Sequence, residues 1–158
     1  SDMALQSVSH ANEYIAREHF EDGMFITLFF AVVNMKTGEI HYINGGHEPA
    51  LVVRNNRIKA HLKTTGPALG PIQGAKYKTG SFQLESGDIL FGFTDGVTEA
   101  LSDSKGFYKR FRLEDNINSG SYHSSDTFLS HVKQDLFNFI DGSSQSDDIT
   151  MLALRWQP

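Results

Sequence analysis

A chain of 158 residues with 39% hydrophobic side chains is long enough to bury one core and fits a globular protein rather than a disordered or collagen-like polymer. Its formal net charge of −5, with no cluster of lysine and arginine, repels nucleic-acid phosphates and anionic lipid, so neither is an expected partner. The absence of cysteine removes disulfide scaffolds, thiolate zinc sites and every mechanism with a cysteine nucleophile.

In chain order, residues 3–20 carry Leu5, Val8, Ala11, Ile15 and Ala16 at spacings of three and four, the apolar stripe of a helix that residues 21–23 end. The first residues lack the basic, apolar and small-residue pattern of a signal peptide, and a cytoplasmic location is compatible with that. Residues 24–33 are nearly all apolar and rich in aromatic and branched side chains, which predicts a strand buried on both faces. Interrupted by Thr27, the run is too short to cross a bilayer, and no membrane partner is expected. A turn over 34–38 leads into a strand over 39–44, where Ile40, Tyr42 and Asn44 alternate with His41 and Ile43.

Segments 50–54 and 57–62 flank Asn55-Asn56, and because asparagine tolerates positive φ the pair predicts a two-residue hairpin turn. Residues 66–74 hold Pro67 and Pro71 and read as a long connection. A strand over 77–84 is predicted to turn through Ser86-Gly87 into another over 88–94. Further on, a short helix spans 111–117. Ser124 or Ser125 caps a longer helix with Phe128, Val132, Leu136, Phe139 and Ile140 at helical spacing. A polar loop over 141–148 precedes the last strand, 149–156. Hairpin-linked strands predict an α+β chain with mainly antiparallel sheet, and strands apolar on both faces predict an antiparallel β-sandwich flanked by helices.

Two acidic motifs stand out. Thr94-Asp95-Gly96-Val97-Thr98-Glu99 follows an apolar strand, and Ser146-Asp147-Asp148-Ile149-Thr150 precedes one. Hard divalent cations prefer carboxylate oxygens, and strand ends hold such groups rigidly. Asp95 ends its strand and Asp147 begins its own, so antiparallel neighbours would carry both to one sheet edge. The competing reading is that Asp-Gly is a turn former and the second motif a polar loop.

The ordered set of motifs resembles one family. Met24-Phe25-Ile26-Thr27-Leu28-Phe29, Tyr42-Ile43-Asn44-Gly45-Gly46-His47-Glu48-Pro49, Gly66-Pro67-Ala68-Leu69-Gly70 and Ser86-Gly87-Asp88 lead into the two acidic motifs in the right order. They resemble the metal-dependent protein phosphatases (PPM), in the bacterial branch of stage II sporulation phosphatases and sigma-factor-pathway regulators. The resemblance covers nearly the whole chain, and implies that residues 1–158 are the C-terminal portion of a single PPM-type α-β-β-α sandwich domain. It implies hydrolysis of phosphoserine or phosphothreonine by a water activated at a Mn²⁺ or Mg²⁺ centre. A phosphoprotein substrate, typically an anti-sigma-factor antagonist, and an upstream regulatory or sensor domain follow from the same resemblance. Carried over residue by residue, the metal ligands are Asp95 and Asp147, with Asp148 less favoured. Gly96, Glu99 and His47 belong to the motifs without an assigned role.

The chain departs from the family in one respect. The Gly-Asp pair and the Asp-Val-Ser-Gly-His-Gly segment that supply the remaining ligands have no counterpart before Met24. Two carboxylates hold two divalent ions poorly, so weak metal binding and little activity are expected of this chain, and an N-terminally incomplete domain is expected. A degenerate domain acting as a protein-binding module is the alternative, and an unrelated hydrolase with a mononuclear site a third. An incomplete sandwich would also expose apolar sheet open to homodimerisation. His47, alone in a glycine-rich turn, reads as a hydrogen-bonded loop residue.

Overall fold

The computed structural model describes residues 2–19, 21, 23–145 and 147–158. Among them are four helices and nine strands: α1 (Asp2–Glu18), β1 (Leu28–Val33), β2 (Glu39–Gly45), β3 (Ala50–Arg54), β4 (Arg57–Leu62), β5 (Gly80–Gln83), β6 (Ile89–Phe93), α2 (Asp95–Thr98), β7 (Leu101–Ser102), β8 (Gly106–Phe107), α3 (Arg110–Ser119), α4 (Ser125–Ile140) and β9 (Met151–Arg155). The α+β class and the antiparallel pairing agree with the sequence reading. The chain divides into two units, one from the segments before Ala50 and Leu62–Leu84, the other from Ala50–His61 and Glu85–Gln157. Phe20 and Asp22, at the expected end of the first helix, lie outside the described residues, as does Ser146 of the second acidic motif.

In the first unit the strand order is β1-β2-β5, antiparallel throughout. The apolar stripe of α1 is buried at Val8, Ile15 and Ala16, and with Ile43, Leu69 and Tyr77 it forms this unit's core. The expectation for residues 24–33 is corrected here. Only Leu28–Val33 form a strand; it is an edge strand, and Phe30 and Val32, two apart and so on one face of the sheet, are 40% and 55% exposed. Met24, Phe25 and Ile26 are exposed as well, ahead of the strand. An unbroken apolar run cannot distinguish a central strand from an edge strand whose outer face is uncovered.

The second unit holds the sheet β4-β3-β6-β9. Here the two-face burial expected of apolar strands is found, in β3 and β6, which are central. Asn55 and Asn56 adopt φ of 51° and 61°, the left-handed pair of a two-residue turn. Leu51, Val53, Phe91 and Phe93 pack with Leu113 and Ile117 of α3 and with Phe128, Val132, Leu136, Phe139 and Ile140 of α4. The last five are the residues placed on one helix face by spacing. Ser124 caps α4, its hydroxyl accepting from the Thr127 N–H while the Thr127 hydroxyl accepts from the Ser124 N–H.

Two further expectations are corrected. The strand 77–84 shortens to β5, and β5 does not form a hairpin with β6, since the two belong to different sheets. Asp88 fixes the turn at the start of β6, its carboxylate accepting the Glu85 N–H and two hydrogen bonds from Arg54, and β5 pairs with β2 instead. The one-turn helix α2 and the short β7–β8 hairpin carry too few residues for periodicity to reveal them.

Candidate functional site

β6 and β9 pair antiparallel, with Phe93 opposite Met151. The ladder continues one step beyond both strands: the Thr94 N–H donates to the Thr150 carbonyl at 3.1 Å. Asp95 is the next residue after Thr94, and Asp147 and Asp148 lie just before Thr150, so the pairing brings both acidic motifs to the same edge of this sheet. Thr94 ties them further. Its hydroxyl donates to the Asp148 carbonyl at 2.9 Å and accepts the Thr150 N–H at 3.0 Å. Gly96 completes the contact from α2, because a Cβ there would run into the Asp148 carbonyl oxygen and stand 2.9 Å from its carbon.

The carboxylates of Asp95, Asp147 and Asp148 are exposed. Asp95 Oδ1 accepts the Gly96 N–H at 3.0 Å and Asp147 Oδ1 accepts the Asp148 N–H at 2.7 Å, contacts with neighbouring backbone that leave each carboxylate at the solvent edge. Asp95 also anchors α2 by its carbonyl, which accepts from the Thr98 hydroxyl and the Glu99 N–H. Glu99 is exposed at the end of that turn. The donor chemistry suits Mg²⁺ or Mn²⁺, hard ions that take oxygen ligands and retain several waters. The number does not suit a closed site: among the described residues no group of three or more His, Cys, Asp or Glu side chains converges. The residues present fit one part of a metal-binding set.

His47 belongs to the first unit and behaves as a loop residue. Its N–H donates to Asn44 Oδ1 and its Nδ1 lies 2.9 Å from the Thr27 hydroxyl. Asn44 is fully buried, and its carbonyl accepts from the Thr65 and Gly66 N–H groups. Gly46, at φ 66°, comes so close to Ala68 that a Cβ would stand 2.6 Å from the Ala68 nitrogen. The motifs at 42–49 and 66–70 are therefore interlocked by backbone contact.

Three residues escaped the sequence reading. Asn12, fully buried in α1, accepts from the Gly70 N–H and the Tyr77 hydroxyl and donates to the Ile72 carbonyl. Its signal was available: a polar residue four after Val8 and three before Ile15, on the apolar stripe. Arg54 pairs with Asp88, which is 1% exposed, and the hydrogen bond to Asp88 raises the guanidinium pKa further. Asp135, the third, joins Tyr108 and Arg112.

Comparison with known proteins bears on this geometry. The family model for stage II sporulation protein E (SpoIIE) matches residues 3–157. Protein IcfG of Synechocystis sp. is 42% identical over 150 residues, covering 95% of this chain and 24% of that protein. Phosphoserine phosphatase RsbU of Bacillus subtilis is 30% identical over 142 residues, covering 89% of this chain and 42% of its own. The chain thus spans between a quarter and about two fifths of these relatives. A bacterial serine phosphatase crystal structure superposes with a TM-score of 0.73 at 12% identity, covering 99% of this chain and 69% of that one. The Mn-presoaked phosphatase domain of SpoIIE from Bacillus subtilis superposes with a TM-score of 0.69 at 13% identity, covering 99% and 67%. At such identities the structural matches show the fold.

Proposed function

The chain belongs to the stage II sporulation protein E family of PPM-type phosphatase domains, and from that membership we propose that it takes part in metal-dependent removal of phosphate from phosphoserine or phosphothreonine on a bacterial signalling protein. The observation that carries the proposal is the β6–β9 pairing, extended by Thr94 and Thr150, which sets Asp95 and Asp147 on one sheet edge.

In this reading Asp95 and Asp147 hold the cation. Asp148 is the less favoured candidate, on the motif resemblance. Mn²⁺ or Mg²⁺ bound there would supply activation of an attacking water and stabilisation of charge on the phosphoryl oxygens. The phosphorus–oxygen bond to the serine or threonine breaks, the bond to water oxygen forms, and the products are the free hydroxyl and inorganic phosphate. No cysteine is present to form a phosphothiol intermediate.

Two carboxylates are too few to hold two ions tightly, so this chain alone is expected to bind Mn²⁺ weakly and to hydrolyse p-nitrophenyl phosphate near background. The test is Mn²⁺ binding and Mn²⁺-dependent hydrolysis by the parent chain, Asp95→Asn and Asp147→Asn. Both substitutions should abolish the binding that the parent shows; unchanged binding would falsify the assignment, and robust turnover by the chain alone would overturn the ligand count. We further propose that these 158 residues are the C-terminal portion of one phosphatase domain acting in the cytoplasm, with a regulatory or sensor domain upstream and an anti-sigma-factor antagonist as substrate; the family match over residues 3–157 supports the phosphatase part of this reading. The exposed outer face of β1 supports a homodimer.

The small donor set also favours a second reading, a domain that binds a phosphoprotein without turnover. Capture of a phosphoserine peptide that needs no Mn²⁺ and is unchanged in Asp95→Asn and Asp147→Asn would select it.

A further inference from the structure

We propose that Thr94 is a positioning residue for the metal edge: its hydroxyl sets the loop that bears Asp147 against the turn that bears Asp95. This rests on the reading of Asp95 and Asp147 as cation ligands. Thr94 stands at the N-cap of α2, where a threonine hydroxyl ordinarily accepts a hydrogen bond from its own helix. Here it makes no such bond. It is spent across the sheet edge, donating to the Asp148 carbonyl and accepting the Thr150 N–H, while its backbone N–H donates to the Thr150 carbonyl. One residue therefore makes three hydrogen bonds to the segment that follows Asp147.

The clamp has a second jaw. Gly96 admits the Asp148 carbonyl against the first turn of α2, at a separation that a methyl group would close. The loop is held by Thr94 and has room to be held only because residue 96 lacks a Cβ. Asp147 immediately precedes the clamped residue, so freeing the Asp148 carbonyl lets its carboxylate drift from Asp95. Asp148 and Thr150 are exposed, so water can replace the lost partners and the fold should survive what the ligand geometry does not.

Free Mn²⁺ measured by electron paramagnetic resonance reads this directly, in titrations carried to millimolar metal with thermal melts alongside. Thr94→Val removes both side-chain hydrogen bonds at nearly constant shape, and should weaken Mn²⁺ binding about tenfold, the equivalent of one to two net hydrogen bonds. Thr94→Ser retains the hydroxyl and should bind within about twofold of the parent. Gly96→Ala displaces the same carbonyl without altering Thr94 and should also weaken binding. Parent-like affinity in a folded Thr94→Val protein overturns the inference, leaving the metal site intact if Asp95→Asn has lost binding. Should Thr94→Val fail to fold, Gly96→Ala decides: parent-like affinity there means the loop position is immaterial and the inference falls. Unchanged affinity in both Asp95→Asn and Asp147→Asn removes the metal site and this inference with it.

Discussion

Asp88 illustrates how far a single carboxylate can be read without its partners. Its place in a Ser-Gly-Asp turn was visible, but the guanidinium of Arg54, thirty-four positions away, was not. Burial at 1% exposure makes the pair consequential, because a buried charge that loses its partner keeps its desolvation cost. Arg54→Ala should lower stability by about 3 kcal/mol in urea denaturation, less if water reaches the carboxylate. Asp135 supplies a pH test. Burial would raise its carboxyl, yet hydrogen bonds from Arg112 and Tyr108 outweigh that and hold it below the ordinary carboxylate value. A depressed folded-state pKa stabilises fully above the unfolded value, about 3.9, and that stabilisation is lost as the pH falls through the lower folded value. Asp135→Asn should therefore flatten the acid limb of the stability profile below about pH 4. Burial, reinforced by Asp135, pushes the Tyr108 hydroxyl well above its usual range, so it stays a donor in alkali.

At the scale of elements, local chemistry and outcome agree where one segment carries the whole signal. The α4 helix has its cap, its apolar face and its left-handed end at Asp141, φ 50°, all within one stretch of chain. Ser124→Ala removes the hydroxyl that accepts the Thr127 N–H and should cost about 1 kcal/mol in thermal or urea unfolding. The Asn55-Asn56 turn was equally legible, since positive φ at both positions needs residues that tolerate it. Asn55→Val forces a branched side chain into that region, and should destabilise the hairpin by about 1 to 2 kcal/mol on the same assay. β1 failed for the opposite reason. Its composition is that of a central strand, but its position is set by which strands lie beside it, and composition does not encode neighbours.

For the molecule as a whole, the β1 edge and the exposed residues before it matter most. The free edge of β1, with Phe30 and Val32 exposed on it and Met24 and Phe25 exposed ahead of it, forms a surface prone to strand addition. Analytical ultracentrifugation should show self-association that grows with concentration, and Val32→Lys should suppress it by placing a charge on the edge; monomer at all concentrations would end the homodimer proposal. Among the described residues no helix is long and apolar enough to cross a membrane. The sequence by itself determined the elements whose signals are local, the order of the family motifs and the two aspartates as candidates, because period, turn chemistry and motif order are written along the chain. Tertiary structure decided what depends on residues distant in sequence: the assignment of β5 and β6 to different sheets, the exposed face of β1, and the meeting of the two acidic motifs. Antiparallel pairing of β6 with β9 brings Asp95 and Asp147 to one edge across some fifty intervening residues, and Thr94 closes the gap with a hydroxyl no periodicity could have assigned.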